Sequence, residues 1–225
     1  MKRLIPALFL MLAFFAYGKA GVVSAKQSTV IELITTETAL KFATIRMDDQ
    51  NLLFESYNST ESYLLTSEAF YVINHKDKTY HVQSFDELQA AIRRKLGEIA
   101  GAPEASAVGP NIDMKLTEET ETVAGLKTRK LIQTGNGPST NIIWVSSDLV
   151  PQGLRAAGEK LRRLLPTDYW KKVHGNPGIP EIILLYGIPL KEVSDGRPIY
   201  TANVIQATDT SVPLEVPAGY RKVAN

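Results

Sequence analysis

The sequence contains no cysteine among its 225 residues. Disulfide bonds are therefore excluded, and the folded core must be stabilised by buried apolar side chains, which a chain of about 200 residues can supply. The absence also excludes the lipid-modified cysteine with which a membrane-tethered bacterial lipoprotein begins. We therefore expect the mature chain to be soluble.

Histidine and known catalytic motifs are also scarce. The three histidines, His75, His81 and His174, are not spaced as metal ligands, so we predict no metal site and no cofactor. The sequence has no H-E-x-x-H, G-x-S-x-G or G-x-x-x-x-G-K-[ST] motif. The sequence alone leaves open a nucleophile and a base that only the tertiary structure brings together. We nevertheless expect that the protein is not an enzyme. The enzyme alternative would need a cleft with converging polar groups, for instance around His81 or His174.

The amino terminus has the pattern of a secretory signal peptide. Lys2 and Arg3 precede an apolar run of 14 residues from Leu4 to Tyr17, which is short for a membrane span. We predict that residues 1–25 form the signal peptide, with cleavage after Val23-Ser24-Ala25 and alternative sites after Gly18 or Ala20. The other interpretation is an uncleaved membrane anchor.

Cleavage there leaves a nearly neutral chain without a stable membrane span. It leaves 22 basic against 24 acidic side chains, a net charge of −2, which argues against nucleic acid as a partner. The predicted location is the periplasm, with secretion as the alternative.

Residues 26–225 are predicted to form a single β-rich domain. β-Branched and aromatic runs bounded by Asp, Asn and Ser are typical of antiparallel strands. After a meander over residues 28–66, we predict strands at Ala69–Asn74, Thr79–Gln83, Ile112–Leu116, Glu119–Val123, Leu131–Thr134, Asn141–Ser146, Glu181–Tyr186, Ile188–Val193 and Tyr200–Ala207.

Two hairpins are each followed by an amphipathic helix. Ser84-Phe85-Asp86-Glu87 has the form of a capping box and predicts a helix that ends near Gly101. The second helix is predicted from Pro151 to Leu165, since proline is tolerated in the first turn. The segment Ala102–Pro110 between the two units is a predicted surface linker. Two arginine pairs lie near the ends of the predicted helices, Arg93-Arg94 and Arg162-Arg163. They are typical of a solvent-exposed helix face. The alternative interpretation is a site that binds an anion or a lipid headgroup.

Two predicted strands are apolar on both faces. In Ile142–Val145 and Ile182–Tyr186, odd and even positions are both apolar, so each strand should be covered on both sides. One interpretation is a central strand packed by the rest of the domain. The other is a cavity for a lipophilic ligand.

Several short motifs resemble an exported bacterial family of unknown function that is related in shape to the lipoprotein carriers LolA and LolB. The motifs are Phe70–Asn74 with Lys78–Tyr80, Val123–Leu126 leading to Lys130-Leu131, Ile143–Ser146, and Val216–Tyr220. The resemblance implies an α+β fold in which a strongly curved antiparallel sheet, like an unclosed barrel, carries helices packed on its concave face. It implies no catalytic residues.

The sequence thus predicts a non-catalytic exported binding protein. The expected ligand or partner is a lipid, an acyl chain, a lipoprotein or another acylated or outer-membrane partner. The alternative is an assembly or interaction factor of the cell envelope without a small-molecule ligand. The residues predicted to line the ligand site are Phe70, Trp144, Leu161, Leu184 and Tyr186.

Overall fold

A computed structural model describes residues 28–101, 112–135, 139–165, 177–208 and 214–224. The predicted signal peptide, the predicted linker Ala102–Pro110 and His174 lie outside the described residues. The signal peptide and the single-domain organisation therefore stay predictions.

Strands dominate the described part of the chain. The six strands of the first half are β1 (Ser28–Thr35), β2 (Lys41–Met47), β3 (Leu52–Ser56), β4 (Glu61–Leu65), β5 (Ala69–Asn74) and β6 (Thr79–Ser84). Helix α1 follows (Phe85–Gly101). The second half contains β7 (Asp113–Val123), β8 (Leu126–Thr134), β9 (Thr140–Ser146), α2 (Gln152–Leu164), α3 (Ile179–Leu185), β10 (Ile188–Ser194), β11 (Arg197–Thr208) and β12 (Arg221–Lys222).

The described strands form one 12-stranded sheet in the order β12-β6-β5-β4-β3-β2-β1-β11-β10-β9-β8-β7. β1 to β6 form one meander and β7 to β11 a second, and the antiparallel pairing of β1 with β11 joins them. β12 lies parallel to β6. Because β12 and β7 stand at opposite ends, the sheet is not closed. The prediction of an α+β fold with an open, mainly antiparallel sheet is confirmed.

Both predicted units of a hairpin and a helix are present. β5 pairs with β6, and β8 pairs with β9, while α1 and α2 begin within one residue of their predicted starts. The capping box has the expected reciprocal bonds. The Glu87 amide donates to Ser84 Oγ at 3.1 Å, and the Ser84 amide donates to Glu87 Oε2 at 2.8 Å.

The predicted strand Glu181–Tyr186 is wrong, because this segment lies in helix α3. Gly178 caps the helix, and a proline follows within the first two positions, where its missing amide costs nothing. The run is apolar on every side because the helix is buried all round, with Pro180 and residues 182–185 buried. A short, fully apolar segment has no periodicity that separates a buried helix from a buried strand.

The main apolar cluster joins the three described helices to strands from both meanders. Fully buried side chains from the sheet, such as Ile31, Ile45 and Leu52, share it with Leu88 of α1, Leu154 and Leu161 of α2, and Ile183 and Leu184 of α3. The opposite face of β3 to β5 buries Leu53, Leu64 and Ile73 beneath Leu214, Val216 and Tyr220 of the carboxyl-terminal segment. The sheet is thus covered on both faces in its first half.

Helices α2 and α3 are joined at a close contact around Gly158. A Cβ atom at this position would lie 2.3 Å from the Leu184 carbonyl oxygen, so only glycine permits the observed approach. Arg162, one turn later, donates from Nε to the Leu185 carbonyl at 2.9 Å and from Nη2 to the Leu184 carbonyl at 3.2 Å. The guanidinium therefore supplies partners for carbonyls at the carboxyl end of α3.

Gly158→Ala should destabilise the protein by about 1–3 kcal/mol, because the added methyl group forces α2 and α3 apart. Gly97→Ala is the matched control, since Gly97 also lies in a helix but a Cβ there meets nothing within 4 Å. Alanine should stabilise α1 at that position by about 0.5–1 kcal/mol. Chemical denaturation of both variants measures the difference, and equal effects would contradict the close contact.

Candidate functional site

A cleft of about 310 Å³ lies beside the amino-terminal end of α3. Its walls come from elements that are distant in the sheet order. They are Tyr63 of β4, Gln133 of β8, Asn141 and Ile143 of β9, Pro189 and Glu192 of β10, Tyr200 of β11, and Pro177, Gly178, Ile179 and Ile182 at α3. The cleft therefore lies between the two halves of the sheet.

Strand pairing places the polar pair Glu192 and Tyr200 on one wall. The two residues stand directly opposite each other on β10 and β11, so their side chains share a face. The phenol of Tyr200 is the hydrogen-bond partner of the Glu192 carboxyl group. The Tyr200 ring is buried and stacks on Phe42, with ring centroids 4.7 Å apart, which fixes the position of its hydroxyl group.

Burial controls the ionisation of this pair. Burial raises the pKa of Glu192, and the hydrogen bond from Tyr200 opposes part of that rise. The pKa of Tyr200 is raised well above its ordinary value, first by burial and then by the neighbouring Glu192. Tyr200 therefore stays protonated and donates, while Glu192 titrates.

A second carboxyl group, Glu181, belongs to the start of α3. It accepts hydrogen bonds from its own amide and from the amide of Gly178, as a glutamate at the third helical position does in a capping box. Burial raises its pKa despite these bonds. The pKa of Tyr63 is raised as well, by burial first and then by Glu61 and Glu181. Glu181 thus has a structural role beside the cleft.

The lining combines polar and apolar groups and contains no lysine or arginine among the described residues. The polar lining residues are one glutamate, two tyrosines, one glutamine and one asparagine, and isoleucine and proline residues complete the lining together with Gly178. Ile143 and Ile182 belong to a small apolar cluster with Leu131 and Val145, and Tyr63 packs against the main cluster. The cleft therefore borders both apolar clusters.

The five predicted ligand-site residues all belong to or contact the main apolar cluster, but none of them lines this cleft. Phe70, Leu161 and Leu184 are buried, at 7%, 1% and 1% exposure, and Trp144 and Tyr186 are partly buried against the cluster. These side chains pack against other residues of the apolar cluster. Their role in ligand binding stays a prediction.

Trp144 lies on the face of β9 opposite to the cleft. Its register partners are Lys130 and Lys191, whereas Ile143 stands opposite Leu131 and Glu192. Lys191 Nζ lies 5.8 Å from the centre of the Trp144 ring and 2.6 Å from Glu121 Oε1. The side chain of Trp144 is therefore held in a cation–π contact on the other face of the sheet.

Glu192 and Tyr200 were not predicted from the sequence. One signal was present, because the adjacent charges Lys191 and Glu192 on one strand must lie on opposite faces. One of them therefore faces the helix side. Which of the two does so depends on the β-bulge between Pro189 and Lys191. The sequence pattern does not reveal the position of this bulge.

A second polar group joins Ser62, His75 and Tyr220. His75 Nε2 lies 2.9 Å from Ser62 Oγ, and Nδ1 lies 3.0 Å from the Tyr220 hydroxyl group. A serine beside a histidine suggests a nucleophile and its base. However, Ser62 is only 1% exposed, and the carboxyl-terminal segment covers this face of the sheet. We therefore interpret the group as a structural link between the β5–β6 turn and that segment.

In the described ranges, no three histidine or acidic side chains are grouped as metal ligands. No helix there has both the length and the apolar character needed to cross a membrane.

Tyr220→Phe should loosen the carboxyl-terminal segment and cost about 0.5–1.5 kcal/mol, because His75 loses a hydrogen-bond partner. Hydrogen exchange of residues 214–224 should rise more than that of β9 or α2. Unchanged exchange in this segment would show that apolar contacts alone hold it.

Glu192→Gln should change how stability depends on pH. The folded pKa of Glu192 is raised above its ordinary value of 4.5, so the protonated carboxyl group favours folding at low pH. That contribution disappears as the pH rises through the folded pKa. The glutamine variant cannot lose it, so its stability relative to the wild type should increase as the pH rises from below 4.5 through the folded pKa of Glu192. Urea denaturation across this range measures the difference, and a constant difference would show that the pKa is not raised.

Comparison with known proteins gives no family for the chain. No family model and no curated protein matches the sequence. Two crystal forms of PNGF-II align with 87% and 88% of this chain at 14% and 10% identity and a TM-score of 0.48. This chain spans only 30–31% of the length of PNGF-II.

An uncharacterised conserved protein from Thermus thermophilus aligns over 88% of this chain and 90% of its own, with 9% identity and a TM-score of 0.37. The chain is similar to these structures at a level that establishes no common family, and the resemblance to lipoprotein carriers stays a prediction.

Proposed function

We propose that the protein is an exported, non-catalytic binding protein of the periplasm or the extracellular space, with a carrier-like fold that takes up a lipophilic ligand or an acylated or outer-membrane partner. The observation that carries this proposal is the position of the cleft. It borders both apolar clusters and lies next to a helix of only seven residues.

The sheet order supports a strongly curved sheet with helices on its concave side. Seven strand spacings separate β4 from β8, which is about 34 Å in a flat sheet. Tyr63 of β4 and Gln133 of β8 nevertheless border the same small cleft. A sheet that bends towards the side of α3, as an unclosed barrel does, would bring them together.

Movement of α3 would enlarge the cleft into the apolar interior. Ile182 of this helix lines the cleft, whereas Ile183 belongs to the main cluster together with Leu161. Gly158 and Arg162 hold the carboxyl end of the helix. An acyl chain that replaced α3 against the sheet would gain about 0.8 kcal/mol for each buried methylene group. That gain would offset the cost of moving the helix away from the sheet.

A second candidate function is assembly with another envelope protein through a sheet edge. β7 is 11 residues long and ends the sheet formed by the described strands. A strand at an edge offers unpaired amides and carbonyls to an extended partner. In that case the protein would bind a protein partner and no lipid.

Ile179→Trp should weaken the binding of an acyl chain. Ile179 lines the cleft, so the larger ring fills the space through which a chain would enter. The affinity for a fluorescent acyl probe with an uncharged headgroup, measured by titration, should fall about tenfold or more. Ile199→Trp is the matched control, because Ile199 is 37% exposed and does not line the cleft.

Thermal unfolding of both variants checks that they fold. If the two tryptophan variants bind the acyl probe with equal affinity, the ligand site lies outside the cleft. Failure of the wild type to bind any acyl probe would contradict the proposal and favour the assembly function.

A further inference from the structure

Glu192 is the acidic side chain among the described residues that line the cleft. Among the described lining residues there is no lysine or arginine. Its sequence neighbour Lys191 points to the opposite face, where it pairs with Glu121 and lies over Trp144. A partly buried carboxylate attracts a cation more strongly than an exposed one does, because little water screens it.

The groups around Glu192 hold it in place and suit an ammonium group. Tyr200 donates a hydrogen bond to it and is itself fixed by stacking on Phe42. Tyr63, on the far wall, provides an aromatic ring, and Gln133 and Asn141 provide amide oxygens within the same lining. Aromatic rings attract cations, and the three hydrogens of an ammonium group need acceptors of this kind.

Glu181 adds negative charge near the cleft without competing for the same ligand atoms. Its carboxyl group is engaged by the amides of Gly178 and of Glu181 itself. An anionic headgroup in the cleft would face Glu192, and Glu181 lies near enough to act on the lining residue Tyr63; like charges at short distance are unfavourable.

We propose that the cleft recognises a primary ammonium group through Glu192, with Tyr63 and Tyr200 at its sides. The proposal rests on the proposed binding function and names the headgroup chemistry of its ligand. The ammonium group belongs either to an amphiphile, whose chain would follow the apolar wall of Ile143 and Ile182, or to a small free amine.

Three probes with the same ten-carbon chain separate the headgroup from the chain. Decylammonium, decanol and decanoate are titrated below their micellar concentrations, and butylammonium serves as the amine with a short chain. We expect decylammonium to bind about tenfold or more tightly than decanol, and decanoate to bind most weakly.

Glu192→Gln should remove the preference for decylammonium over decanol. Glu121→Gln is the matched control, because Glu121 pairs with Lys191 on the other face. This variant should retain the preference. Equal loss in both variants would show that the preference reflects overall charge and would overturn the proposal.

The other outcomes distinguish the two proposals. If the ten-carbon probes bind equally, or decanoate binds best, ammonium recognition fails while the lipophilic binding function stands. If butylammonium binds as tightly as decylammonium, and does so through Glu192, the ligand is a free amine and the lipophilic function fails. If no probe binds, both proposals fail.

Discussion

The pairing of β1 with β11 is the interaction on which the rest of the fold depends. It joins two meanders that are each formed by local hairpins, through contacts as distant in the chain as Ile31 with Ile205. Without it, β4 and β8 would belong to separate sheets and could not border one cleft. The cost of closing so long a loop is recovered only when the helices cover the common apolar face.

That face is completed by α3, a segment too short to be stable alone. Its conformation depends on burial on every side and on contacts at both ends. Glu181 and Gly178 satisfy its first turn, and Arg162 and Gly158 hold its last turn. Because its stability comes from neighbours rather than from its own hydrogen bonds, α3 keeps its helical conformation only while this apolar layer surrounds it.

The polar wall of the cleft differs from the packed interior beside it. Tyr200 is buried and Glu192 is partly buried, and they form a pair in which the phenol donates and the carboxylate accepts. Burial of a carboxyl group destabilises the fold when the group is ionised. A protein with only structural needs could place an apolar side chain at this position, as it does at the neighbouring Leu190. The ammonium proposal gives this polar pair a role that packing alone does not require.

The sequence by itself determined the local units. Alternating β-branched runs specified the strands, Ser84 and Glu87 specified the start of α1, and polar turns specified the hairpins, because each depends on residues close in the chain. It did not determine the state of Ile179–Leu185, since a fully apolar run fits a buried helix or a buried strand equally well. Nor did it determine that Glu192 faces the cleft and Trp144 faces away. The β10 bulge and the pairing of distant strands decided both, because a shift of one residue in register reverses the face of every side chain that follows.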